Sequence, residues 1–123
     1  GAELVRQILG YEPKLLLLVE RAEYALFKIE QELAKDFSGT ILPLLADISD
    51  APRMREIFEK YRPEVIFHAA AHKHVPLMET NAAEAIKNNV FATQLVGDLA
   101  GKFGVKNFVL ISTDKAVNPT SVM

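Results

Sequence analysis

Short apolar runs alternate with segments of helical spacing along this chain, and no hairpin signal joins any two of the runs. The runs fall at 14–19 (KLLLLV), 41–46 (ILPLLA), 64–69 (EVIFHA) and 107–112 (NFVLIS). Between them lie Leu26, Phe27, Ile29 and Leu33, then Met54, Ile57, Phe58 and Tyr61, then a long segment from Asn81 to about Phe103. Before the first run, Leu4, Val5, Ile8 and Leu9 share one helical stripe. Strands that alternate with helices predict an α/β fold, a parallel sheet covered by helices on both faces.

Punctuation supports this division. Asp50 is placed to cap a helix with Pro52 in its first turn, and Pro63 ends that helix. Asn81 with Glu84 has the spacing of a capping box, and Gly104 is a helix stop. Ser38-Gly39 predicts a turn. Pro43 interrupts the second run, which predicts an edge strand there.

Several function classes are excluded or disfavoured by composition. With 123 residues the chain makes one domain at most. Its net charge of -2 offers no basic field for nucleic acid, and the absence of cysteine excludes disulfides and thiolate metal sites. The longest apolar run, Leu15–Val19, falls far short of the ~20 residues that cross a bilayer, so this segment is expected to make no membrane contact. A cytoplasmic location fits. Asn118-Pro119-Thr120 is no glycosylation acceptor, because proline occupies its centre.

Ligands of open parallel sheets bind beyond the carboxyl ends of the strands. Four strand ends therefore matter. Glu20 and Arg21 follow the first; the acid suits ribose hydroxyls, or equally a solvated helix start. Asp47 and Ile48 follow the second; the acid could accept from an adenine amino group or simply shape a turn. The third ends in "HAAAHKHVP" (His68–Pro76). Its histidines need not converge, so no metal site is expected. Ala69, Ala70 and Ala71 would let a flat ligand approach the backbone, and would equally serve tight packing. After the fourth, Thr113, Asp114 and Lys115 bring a hydroxyl, an acid and an amine together, which is either catalytic chemistry or a polar strand end.

Together, "GAELVRQIL", "ADISD", "VIFHAAAHKHVPLME", "NNVFAT" and "FVLISTDKAVNPTSVM" resemble, in order and spacing, the extended short-chain dehydrogenase/reductases. More narrowly, they are similar to the nucleotide-sugar 4,6-dehydratases of bacterial polysaccharide biosynthesis that act on UDP-N-acetylglucosamine. The resemblance implies a partial Rossmann domain over residues 1–123, lacking its first strand and the C-terminal sugar-binding region. In the implied strand order 3-2-1-4-5 that first strand is central, leaving a gap, a rearranged sheet or a borrowed strand. Such a fragment is expected to be inactive alone.

The resemblance also assigns roles. Gly1 would approach the cofactor diphosphate, Glu20 and Arg21 the adenosine ribose, Asp47 and Ile48 the adenine. Ala69, Ala70 and Ala71, with Asn89 of the "NNVFAT" block, would lie along the cofactor. Glu20 favours NAD, while Arg21 permits NADP. Thr113, Asp114 and Lys115 would be the catalytic group, Lys115 as base at sugar C5 and Asp114 as acid at the C6 hydroxyl. Adjacent strand residues point to opposite faces, so the strand should break into a turn by Asp114. The pKa of Asp114 is expected to be raised in the closed site. Met123 stands where most relatives carry a catalytic tyrosine and has no proton to exchange. The partners implied are a UDP-sugar and a second copy of the protein, in a parent that is sometimes membrane-anchored. A C4 epimerase, a nucleotide-binding module without turnover and an unrelated α/β domain are the competing functions.

Overall fold

The computed structural model describes residues 1–33 and 39–121. Helix α1 (Ala2–Leu9) precedes strand β1 (Leu15–Glu20), helix α2 (Glu23–Leu33) and strand β2 (Thr40–Leu45). Helix α3 (Ala51–Tyr61), strand β3 (Val65–His68) and helices α4 (Val75–Thr80) and α5 (Ala82–Ile86) follow. A π-helical turn, Lys87–Ala92, leads into α6 (Thr93–Phe103), strand β4 (Asn107–Leu110) and a 3-10 turn, Asp114–Ala116. The chain divides into two compact units, Gly1–Asp47 and Ile48 onward.

In the first unit β1 and β2 pair in parallel from Leu15↔Thr40 to Glu20↔Leu45. Thr40 N–H donates to Lys14 O and Ala46 N–H to Glu20 O. Even-numbered amides of β2 therefore face β1, and the nitrogen of Pro43 points to the outer edge. That is why a proline fits inside this strand. Leu18, Leu26 and Leu33 form the core, with Val5, Leu9, Leu16, Ile29 and Ile41 packed against it. Arg6 of α1 also reaches Glu32 of α2 at 2.5 Å. Phe27 lies outside this core, 55% exposed. Ser38 and the end of the expected helix over 22–35 lie outside the described residues.

In the second unit β3 and β4 pair in parallel from Val65↔Asn107 to His68↔Leu110. Lys106 N–H to Glu64 O and Ile111 N–H to His68 O close the ladder at its two ends. The side chain of Asp50 accepts from Arg53 N–H at 3.1 Å and starts α3. Met54, Ile57 and Phe58 are buried on α3, and α3 packs against α6, which buries Val96, Leu99 and Ala100. Phe58 meets Phe103 with ring centroids 5.9 Å apart.

The α/β class and the parallel pairing agree with the sequence, and the pairs are those that the implied strand order makes neighbours. A single continuous sheet is not formed: the described residues make two separate two-stranded ladders. Nor is β4 covered, since all four of its residues are exposed. The expected capping box is absent too. The amide of Asn81 donates to Leu77 O at 2.8 Å and so ties off α4, a helix that the sequence reading missed.

Candidate functional site

At the strand ends of the first unit, Glu20 turns its carboxylate onto the start of α2. Its Oε1 accepts from Ala22 N–H at 2.8 Å. Arg21, the next residue, places its guanidinium 3.5 Å from Asp47 Oδ2. The parallel register brings this about, because Glu20 and Leu45 are partners and each chain continues past the same end of the ladder. The two side chains are 51% and 38% exposed and remain open to a ligand. Gly1 is exposed at the start of α1, with open space where a side chain would begin.

In the second unit the segment after β3 is gripped by the π-helical turn. Asn88 Nδ2 donates to Ala70 O at 2.8 Å. Asn89 Oδ1 accepts from His72 N–H at 2.8 Å, and Asn89 Nδ2 donates to His72 O at 3.0 Å. Both asparagines lie on the π-helical turn, a form that recurs at functional positions within helices. Asn88 Nδ2 also donates to Asn89 Oδ1 at 3.0 Å, which joins the two amides in one network. Ala69, Ala70 and Ala71 lie exposed along the segment so held.

One turn further on, Thr93 lies 2.8 Å from the Nε2 of His68. His68 is buried, and its ring packs on Phe108 at 6.0 Å between centroids. Burial lowers its pKa below the usual histidine value. Asn88 and Thr93 hold this segment and His68 without having been singled out by sequence reasoning, which weighed His68 only as a metal ligand. The available signal was a pair of amides inside an otherwise amphipathic helix. Among the described residues no three histidine or acidic side chains group as a metal site, and no helix is long and apolar enough to cross a membrane.

Beyond β4 the strand breaks as alternation requires, and Asp114 opens a 3-10 turn. The hydroxyl of Thr113 donates to Asp114 Oδ1 at 2.9 Å, and Lys115 Nζ lies 3.8 Å from the same oxygen. Thr113 Oγ1 in turn accepts from Lys115 N–H at 3.3 Å. All three residues are exposed. The raised pKa expected of Asp114 belongs to the closed site; on this exposed turn the shift in its pKa runs the other way. The Thr113 hydrogen bond, helped by the charge of Lys115, lowers it. The reason is exposure: the carboxylate keeps its water and gains a donor and a cation. Met123 lies outside the described residues.

Within the first unit, exposed carboxylates past the ends of two neighbouring parallel strands, Glu20 and Asp47, have the chemistry to accept from the hydroxyls and amino group of an adenosine.

Parallel ladders joined through helices make this a Rossmann-like α/β protein. The chain belongs to the family described as "Polysaccharide biosynthesis protein", whose model matches residues 1–123. It is 46% identical to the probable polysaccharide biosynthesis protein EpsC of Bacillus subtilis (strain 168) over 125 residues, 100% of this chain and 21% of EpsC. It is 34% identical over 114 residues to an inverting UDP-N-acetylglucosamine 4,6-dehydratase of Campylobacter jejuni, 92% of this chain and 32% of that protein. The solved structure of Pen from Bacillus thuringiensis matches with a TM-score of 0.89 at 33% identity, covering 99% of this chain and 38% of Pen. The chain therefore spans well under half the length of each of these relatives. The resemblance to extended short-chain dehydrogenase/reductases that act as nucleotide-sugar dehydratases and epimerases holds.

Proposed function

We propose that these residues belong to a nucleotide-sugar 4,6-dehydratase that converts UDP-N-acetylglucosamine to a 4-keto-6-deoxy sugar for polysaccharide assembly. The observation that carries this reading is the ion pair Asp114–Lys115, Nζ to Oδ1 3.8 Å, on the exposed turn after β4. Water elimination across C5 and C6 needs a base at one carbon and an acid at the oxygen of the other. Exchange at C4 alone needs no base at C5.

Glu20 would hold the adenosine ribose and Asp47 the adenine beside Ile48. Ala69–Ala71 would lie along the cofactor and Gly1 near its diphosphate. NAD(P), when bound there, supplies the acceptor for the C4 hydride and its donor to C6. The chain's own residues perform the elimination. In the open site Lys115 is an ammonium and Asp114 a carboxylate. Excluding water favours the neutral pair, so one proton passes from Nζ to Oδ1 and creates the base and the acid together. Lys115 then takes the C5 proton at Nζ, and Asp114 gives its proton to the C6 oxygen, which leaves as water. The original ion pair is restored. Thr113 orients the carboxylate through its 2.9 Å hydrogen bond. Residue 123, a methionine, exchanges no proton, so the C4 hydroxyl proton goes to another group.

The test is product mass in heavy water, using a full-length protein that carries these 123 residues. A product lighter by one water and bearing one deuterium at C5 supports the reading. Unchanged mass with inverted C4 would identify an epimerase instead.

A further inference from the structure

We infer that Asp47 sets coenzyme preference by holding Arg21, which turns the strand-end trio Glu20, Arg21 and Asp47 against a 2'-phosphate and toward NAD. This rests on the dinucleotide reading of the strand ends given above. Glu20 alone would disfavour a phosphate on the adenosine ribose. Arg21 beside it would favour one, because a guanidinium binds phosphate through paired N–H donors. Left to themselves, the two residues cancel and the chain would accept either coenzyme. The ladder register removes that ambiguity. It brings Asp47 to 3.5 Å from the Arg21 guanidinium. Glu20 is fixed independently, by Ala22 N–H at 2.8 Å, so it does not swing away to make room. The trio carries two negative charges and one positive, a net charge of -1 facing a dianionic group.

The inference separates two roles for Asp47. A residue that only accepts from the adenine amino group touches what NAD and NADP share, and its loss weakens both alike. A residue that restrains Arg21 touches only their difference. The pair is partly exposed, so the effect is modest: exposed ion pairs contribute up to about a fivefold change in an equilibrium.

The experiment measures dissociation constants of NAD+ and NADP+ by calorimetry for a full-length protein carrying this chain. The variants are Asp47→Asn, Arg21→Gln and the double variant. The expected result is an NADP+/NAD+ affinity ratio that rises about twofold to fivefold in Asp47→Asn and returns toward the starting value when Arg21→Gln is added. Equal weakening of both coenzymes in Asp47→Asn, with the ratio unchanged, overturns the inference and leaves the dinucleotide reading standing. A rise in the ratio that persists without Arg21 also overturns it. Failure of the unaltered protein to bind either coenzyme overturns the dinucleotide reading and this inference with it. Should Asp47→Asn not fold, Arg21→Gln alone decides. With Arg21 restrained, its loss leaves NADP+ affinity within about twofold; a loss of tenfold or more would show Arg21 already committed to the phosphate.

Discussion

Asn89 bonds both backbone groups of His72, accepting from its N–H at 2.8 Å and donating to its C=O at 3.0 Å. A side-chain amide thereby does for His72 what a neighbouring strand does for a residue in a ladder. Through His72, and through Asn88 at Ala70 O, the π-helical turn sets the path of the alanine segment.

Replacing Asn89 by Ala removes both bonds and leaves two partly buried backbone groups without that partner. The expected cost is about 1–3 kcal/mol of stability, read from the denaturant midpoint at unchanged slope. Asn89→Asp keeps the acceptor for His72 N–H but sets a carboxylate against His72 O, so it should recover little.

The buried His68 makes stability depend on pH. Its pKa is lowered in the fold, by burial, from an unfolded value of 6.5. The unfolded chain therefore binds the proton first as pH falls. Stability attributable to His68 is complete above pH 6.5, declines as pH drops from 6.5 toward the folded pKa, and levels off below it. Thermal midpoints recorded across this range should show the decline, and His68→Gln should flatten it.

Asp114 behaves in the opposite sense. Its pKa is lowered chiefly by the Thr113 hydroxyl, so its carboxylate stabilises the turn above the ordinary carboxyl pKa. That contribution is lost as pH falls through the lowered value. Thr113→Val should move the Asp114 titration, followed by carboxyl NMR, upward toward the ordinary value.

Gly104 closes α6 at φ 72, in the left-handed region. Space around it is open, so Gly104→Ala meets no clash and pays only backbone strain. A loss of about 1 kcal/mol is expected in equilibrium unfolding.

Features with local causes were legible in the sequence. The Asp50 cap, the Gly104 stop and the outward-facing Pro43 each follow from what one residue can do with its own neighbours, whereas the break before Asp114 followed from the roles that the resemblance implied for Asp114 and Lys115. The Arg21–Asp47 pair was half legible: both residues were identified, but only the register brings them together. The π-helical turn was not legible. Residues 81–103 read as one helix because its apolar spacing is nearly regular. The turn's asparagines bond a loop 17 and 18 residues away in sequence, which helical periodicity does not report. The lowering of the Asp114 pKa on the exposed turn was not legible, because charge and composition do not reveal how much water a carboxylate keeps.

The most direct test of the central claim compares Asp114→Asn and Lys115→Met with the unaltered full-length protein, each given UDP-N-acetylglucosamine in heavy water. The account predicts dehydrated product with one deuterium at C5 from the unaltered protein. It predicts at least a hundredfold less from either variant, since general acid–base groups contribute about 10²–10⁴ in rate. Dehydrated product forming at an undiminished rate without the Lys115 amine would contradict it.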